Sequence, residues 1–286
     1  MSLIIILFAL ALERLVSAGT YLHRFSWFDS YLNTLRKLFG SSVLWKGVPG
    51  VILAVAPCLI AVAIIYYGLG FLIFHIVGFI IALLLLLYCL GPVDLYAQLK
   101  TYLAEGGQNY PPEGMLANLD TLIKSSGVNV TLPRAITQGI LIQYNERVFA
   151  ILFWFVLAGP VGALLYRLVS LVRHHAARES SADVALLQGA TTIQAILDWM
   201  PVRVLSFAYA LAGSFIGGFS VWINKVWGGL ENNDELLLQS GLKSLELSDD
   251  DISISTASVE ENKAALALTD RALIIFLVAL ALVVLI

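Results

Sequence analysis

Three places in this sequence set an acid beside a base at the edge of an apolar run. They are Glu13-Arg14, Asn145-Glu146-Arg147, and the string Leu197-Asp198-Trp199-Met200-Pro201-Val202-Arg203. Arg167 closes the apolar stretch between the second and the third. Acid–base pairs in such positions can fix the depth of helix ends by ion pairing at the membrane interface. The same groups can line a polar pocket between helix ends that takes an anionic or sugar–peptide ligand. The candidate pocket is thus Glu13, Arg14, Asn145, Glu146, Arg147, Arg167, Asp198, Trp199 and Arg203. Both readings stand at this point.

Other chemistry finds little support. The chain has no G-x-x-x-x-G-K-[ST] phosphate loop, no G-x-S-x-G nucleophile elbow and no H-E-x-x-H zinc motif. His174 and His175 are adjacent, so on a helix they point to different sides, whereas zinc asks for three or four ligands. No catalytic residue, cofactor or metal site is expected.

The elements that must position the pocket are membrane helices. Hydrophobic residues make up 59% of the chain and charged ones 13%, with a mean hydropathy of +0.86. Soluble domains carry about 25% charged residues. Val148 to Tyr166 is uncharged for nineteen residues, long enough to cross a bilayer. Gly159-Pro160 should kink it. Val48 to Leu90 is uncharged for forty-three residues and reads as two spans, turning at Tyr66 to Gly70. Pro49 suits the start of the first and Pro57 a kink within it. Cys58 and Cys89 then lie at different depths, beyond disulfide reach. His75 falls inside the second span.

The N-terminal run from Leu3 to Ala18 lacks the basic start and small-residue cleavage site of a signal peptide, so a short retained span is expected. Trp27, Phe28, Tyr31, Leu32, Leu35 and Leu38 recur at helical spacing, as in an amphipathic helix on a membrane surface. Residues 91–147 return to ordinary amphipathic composition, and their last helix should run from near Pro133 into the central span. Arg173 to Thr192 reads as a polar connector. Pro201 lacks a backbone donor and suits a first helical turn, with Asp198 as its cap. Val202 to Ile223, Gly-rich and uncharged, reads as a span or a half-buried helix. An acidic segment follows, with a short amphipathic helix over Leu236 to Leu247 and a disordered tract from Asp249. The chain closes on an apolar helix starting as early as Ala264.

The fold class expected is all-α: a polytopic helical membrane protein with four to five transmembrane helices plus amphipathic and extramembrane helices. The division is 1–90 for the first span, surface helix and hairpin, 91–147 for a helical extramembrane subdomain, 148–223 for the central span, connector and Gly-rich helix, 224–263 for the acidic loop, and 264–286 for the last span. Residues 1–223 hold thirteen Lys/Arg against ten Asp/Glu, while 224–286 hold four against ten. An acidic C-terminal part speaks against a nucleic-acid partner, which needs a basic stripe.

The charged strings also carry a resemblance. Leu12-Glu13-Arg14-Leu15, Asn145-x-Arg147-x-Phe149 with Leu152-Phe153-Trp154, and Leu197 to Arg203 with Tyr209-Ala210-Leu211 resemble the AmpE family of bacterial inner-membrane proteins. The likeness covers essentially the whole chain, and Leu-Asp-Trp-x-Pro-Val-Arg is its most specific string. The resemblance implies a regulatory or sensory membrane component tied to β-lactamase induction, alongside a cytosolic amidase of cell-wall muropeptide recycling. That family is in turn similar to the CobD/CbiB membrane enzymes of cobalamin synthesis, which join aminopropanol to a cobyric acid. Where those enzymes read roughly Asn-Thr-x-Asp-Ser-Met, this chain has Ser170-Leu171-Val172-Arg173-His174-His175, a base in place of the acid. Their N-terminal Gly-Asp-Pro and His-Pro-Val elements are missing as well.

The function expected is therefore a non-enzymatic regulator of the bacterial inner membrane. Its partners would be the lipid bilayer and a muropeptide-type small molecule or another membrane protein. A cobalamin-type amide-forming enzyme and a muropeptide transporter are the alternatives. Lys/Arg counts set orientation, and the four in residues 19–47 place that loop in the cytoplasm, hence 91–147 as well. Arg167, Arg173 and Arg178 lie beyond the central span, so the same rule gives 173–270 no side. Cysteines engineered at Lys100 and Lys124 are expected to resist an impermeant thiol reagent in intact spheroplasts. Efficient labelling would invert this topology.

Overall fold

The computed structural model describes residues 2–15, 26–40, 42, 45–72, 74–90, 132–178, 184–247 and 257–285. Every regular element among them is helical. In chain order they are α1 (Ser2–Leu15), α2 (Ser26–Phe39), α3 (Gly47–Leu72), α4 (Phe74–Cys89), α5 (Leu132–Tyr144), a π-helical turn (Asn145–Phe149), α6 (Ala150–Arg178), α7 (Val184–Ala212), α8 (Phe215–Lys225), a 3₁₀ turn (Leu230–Asn232), α9 (Asn233–Ser244) and α10 (Ala257–Leu285). Among the described residues, four stretches are long and apolar enough to cross a membrane: Gly47–Gly68, Ile136–Arg178, Val184–Ala212 and Glu260–Val283. Ser2–Leu12 and Val77–Cys89 are shorter apolar helices. The chain is a multi-pass helical membrane protein.

Contacts divide the chain into two units: residues 1–91 with 150–198, and residues 92–149 with 199–286. In the first, α1 and α3 pack on α4 and on α6, and α4 packs on α6. Ile6 and Ala9 of α1, Ala54 of α3, Leu86 of α4 and Tyr166 of α6 are buried in its core. The surface helix α2 buries Phe28 and Leu32, the i, i+4 stripe that its periodicity calls for. Trp27 of α2 donates its indole N–H to the Tyr88 hydroxyl at 2.5 Å, and Asp29 meets Nδ1 of His175 at 2.9 Å. The start of α7 comes so close to the start of α3 that a Cβ on Gly189 would overlap the Gly47 carbonyl. Gly47 itself has φ +66° with open space around its Cβ position.

In the second unit α5 packs on α10 and on α9, and α8 pairs with α9 as a helical hairpin. Thr137 donates to the side-chain oxygen of Asn262 at 2.8 Å across the buried α5–α10 seam. The Phe149 and Phe276 rings pack at a tilt of 59°, with centroids 4.8 Å apart. Gly218 sits against Ala210 and Ser244, and the Ser214 N–H donates to the Ser244 carbonyl at 2.8 Å.

Several sequence expectations are corrected. The span proposed for Val202 to Ile223 does not exist as one element, because α7 ends at Ala212 and α8 begins at Phe215. The polar connector shrinks, since α7 already starts at Val184. Its polar side chains fit because Thr191 and Thr192 bond back to the carbonyls of Leu187 and Gln188 at 2.8 and 2.9 Å, a local satisfaction that leaves the helix intact. Asp198 and Pro201 are both interior to that helix, so Asp198 is no cap. The helix α3 runs to Leu72, through the turn expected at Tyr66 to Gly70, and α4 begins at Phe74. The last helix starts at Ala257 instead of Ala264, while the short helix expected over Leu236 to Leu247 is present as α9, three residues earlier at each end. The helices expected within 93–131, the Asp249 tract and the side chain of His75 lie outside the described residues.

α6 bends where the sequence asks for it. Pro160 removes a backbone donor, and Gly159 adopts φ +66°, ψ −158°, a region essentially closed to residues with a Cβ. Nothing lies within 4 Å of a Cβ built there, so the requirement is purely one of backbone. Gly159→Ala is expected to lower stability by about 1–3 kcal/mol, measured by thermal unfolding of the detergent-purified protein. An unchanged midpoint would show that the bend relaxes without cost.

Candidate functional site

The nine candidate residues separate into three sets. Glu13 and Arg14 are on the last turn of α1, and their side chains lie outside the described ones. Arg167 and Asp198 belong to the first unit, while Asn145, Glu146, Arg147, Trp199 and Arg203 belong to the second.

In the first unit Asp198 is the focus. It is one of the few ionisable groups in α7, near the middle of a 29-residue apolar helix. A carboxylate at that depth is costly unless its oxygens find donors. The buried Tyr166 hydroxyl donates to one carboxylate oxygen at 2.7 Å, and the Gln194 side-chain N–H donates to the other at 3.1 Å. Gln194 is only 2% exposed, and its amide oxygen accepts no hydrogen bond among the described residues. Arg167, next to Tyr166 in sequence, is buried on α6. Carboxylate, phenol and amide groups on two facing helices can receive a polar group or move a proton. Tyr166 and Gln194 escaped the sequence reading. Gln194 was detectable as the residue one helical turn before Asp198, a spacing that places both on one face.

The second unit holds Arg203 quite differently. Its Nε donates to the Val226 carbonyl at 2.7 Å, Nη1 to the Trp199 carbonyl at 2.7 Å and to the Asn233 side-chain oxygen at 2.9 Å, and Nη2 to the Gly228 carbonyl at 2.7 Å. The guanidinium carbon also stands 4.0 Å from the Trp199 ring centroid, a cation–π geometry. Every one of these acceptors is neutral, where the sequence had offered a carboxylate. Trp199 adds a long N–H contact to the Gly228 carbonyl at 3.4 Å, and Trp222 donates to the Arg203 carbonyl at 2.9 Å. Arg203 thereby ties the 226–233 turn to α7.

Asn145, Glu146 and Arg147 form the π-helical turn. Such a turn inserts one residue into the helical register, and π-turns recur at functional sites. Asn145 and Glu146 are each 5% exposed, and Nε of Arg147 donates to the Gln143 side-chain oxygen at 2.6 Å. His175 is engaged with Asp29. Among the described residues, no three His, Cys, Asp or Glu side chains gather into a possible metal site.

Pro201 explains a further contact. A proline inside a helix leaves the carbonyl four residues earlier without its backbone donor, here that of Leu197. The Trp154 indole N–H donates to the Leu197 carbonyl at 3.1 Å. Trp154→Phe is expected to cost about 1–3 kcal/mol by stranding this carbonyl. With Pro201→Ala, which restores a backbone N–H, the same substitution should cost clearly less in thermal unfolding. Additive effects would break the link between the two residues.

Comparison with known proteins adds two kinds of likeness. Over 89 residues the chain is 32% identical to the cobalamin biosynthesis protein CobD of Stutzerimonas stutzeri, covering 31% of this chain and 29% of that protein. Over 123 residues it is 29% identical to CobD of Chromobacterium violaceum, covering 42% and 38%. The chain therefore matches less than two fifths of the length of either relative. No solved structure matches it. A family model described as "Regulatory signalling modulator protein AmpE" matches residues 1–286, and the chain belongs to the AmpE family.

Proposed function

We propose that this protein is a regulatory sensor of the bacterial inner membrane, acting without catalysis in β-lactamase induction and cell-wall muropeptide recycling. The observation that carries the reading is the match of all 286 residues to a family described as a regulatory signalling modulator. The geometry supports a division of labour within the charged string. Arg203 is consumed by neighbouring carbonyls and serves the fold. Asp198, held by Tyr166 and Gln194 inside a span, is the better candidate for sensing, because an intramembrane ionisable group is a functional candidate by default. The orphaned Gln194 oxygen beside two carboxylate oxygens favours a ligand group that donates hydrogen bonds, such as the amide or hydroxyl of a sugar–peptide.

A second reading has its own observation, the partial likeness to two CobD proteins. It makes the chain an amide-forming enzyme acting on a cobyric-acid-type substrate. ATP turnover by the purified protein in the presence of such a substrate would favour it over the sensor.

Asp198→Asn and Arg203→Gln separate fold from signal. Arg203→Gln cannot reach all four oxygens, so the amount of protein in the membrane should fall several-fold. Asp198→Asn keeps the shape and should accumulate normally, yet reduce β-lactamase induction by a cell-wall inhibitor at least several-fold. Normal induction by Asp198→Asn at normal abundance would remove this carboxylate from any account of function.

A further inference from the structure

We propose that α8 lies in the plane of the membrane at the head-group level, with lipid as its partner, and that the α8–α9 hairpin is a built-in interfacial anchor. The helix has 11 residues, which at 1.5 Å per residue gives about 16 Å, roughly half the hydrocarbon thickness. It cannot span. Its outward stripe nevertheless carries Ile216, 85% exposed, and Ile223, and Trp227 just beyond its end is 87% exposed. Beside that stripe Phe215, Phe219 and Trp222 stack in sequence, with centroids 5.0 and 5.8 Å apart. An exposed apolar stripe, shared with Ser220 and Asn224, beside a half-buried aromatic stack that leans on Phe207 of α7 matches an amphipathic segment seated at the boundary of head groups and acyl chains. Tryptophan favours that depth.

The opposite side of α8 is closed by α9, whose sequence NDELLLQSGLKS opens with Asp234 and Glu235. Lys225 at the last turn of α8 pairs with Glu235 at 2.5 Å, which fixes a charged rim on the hairpin. The apolar stripe is continuous through Gly213-Ser214 with the end of α7, where Leu211, Val204 and Met200 are exposed on a membrane-spanning helix. That continuity with a lipid-facing surface selects lipid over a protein partner. Arg203 then holds the hairpin in place, since three of its four acceptors lie in the 226–233 turn. The inference stands apart from the regulatory reading and survives if that reading fails.

Site-directed spin labelling in proteoliposomes of phosphatidylethanolamine and phosphatidylglycerol tests it. In a background with Cys58→Ser and Cys89→Ala, labels are placed by Ile216→Cys, Ile223→Cys and Trp227→Cys. Val278→Cys on α10 serves as a deep reference and Asp234→Cys as an aqueous one. Accessibility to oxygen and to a water-soluble nickel complex should put all three labels at one interfacial depth, within about 5 Å of each other, the radius of a helix. A graded depth of about 16 Å from 216 to 227 would mean that α8 points into the bilayer and would overturn the proposal. Aqueous values at all three positions, as for a solvated face or one kept for a protein, would overturn it too. The label-free check uses Trp227→Phe: the emission it removes should be quenched by lipid brominated high on the acyl chain. Emission untouched by brominated lipid would count equally against the anchor.

Discussion

A backbone carbonyl without a donor costs several kcal/mol inside hydrocarbon, and α7 shows how much follows from that constraint. Pro201 would strand the carbonyl of Leu197, so an indole from α6 is brought to it. Where α8 ends and the chain turns at 226–228, the carbonyls of Val226 and Gly228 are gathered by one guanidinium. The most distinctive string of the sequence thus contains both a break in the hydrogen-bond ladder and a multi-donor side chain for neighbouring carbonyls. Arginine suits the second task because its planar fork of five donors reaches several acceptors at once.

The same logic sorts the remaining polar groups. Asp198 is answered by a phenol and an amide, and Thr137 by Asn262 across the buried α5–α10 seam. Side chains of this kind act as glue between membrane helices. Asp198 stands out because it is an ionisable group whose immediate partner, Gln194, keeps an acceptor in reserve.

Much of the architecture was legible in the sequence because membrane helices announce themselves by length and apolarity. The central span, the uncharged hairpin and the Gly159-Pro160 bend could all be read directly. α7 could not, since its first half carries Gln188, Thr191, Thr192 and Gln194, which resemble a connector until their hydrogen bonds are seen. Proline misled for a related reason. Position 201 looked like a helix start, and only the remote Trp154 shows why it is tolerated in the interior. In the site, Asp198 and Arg203 were singled out as chemistry-bearing groups, but several of their partners lie far away in sequence. No periodicity in the string itself points to Tyr166 or to the Val226 and Gly228 carbonyls.

The close approach of Gly189 to Gly47 has a consequence for how the sequence can drift. The two glycines are held for different reasons, one by a positive φ and the other by lack of room. Asparagine tolerates the left-handed region, so it is an admissible replacement at position 47. At position 189 no side chain fits, however permissive its backbone. Related chains are therefore free to diversify at the first glycine through a narrow set of residues, while the second is frozen for as long as the helix ends stay in contact.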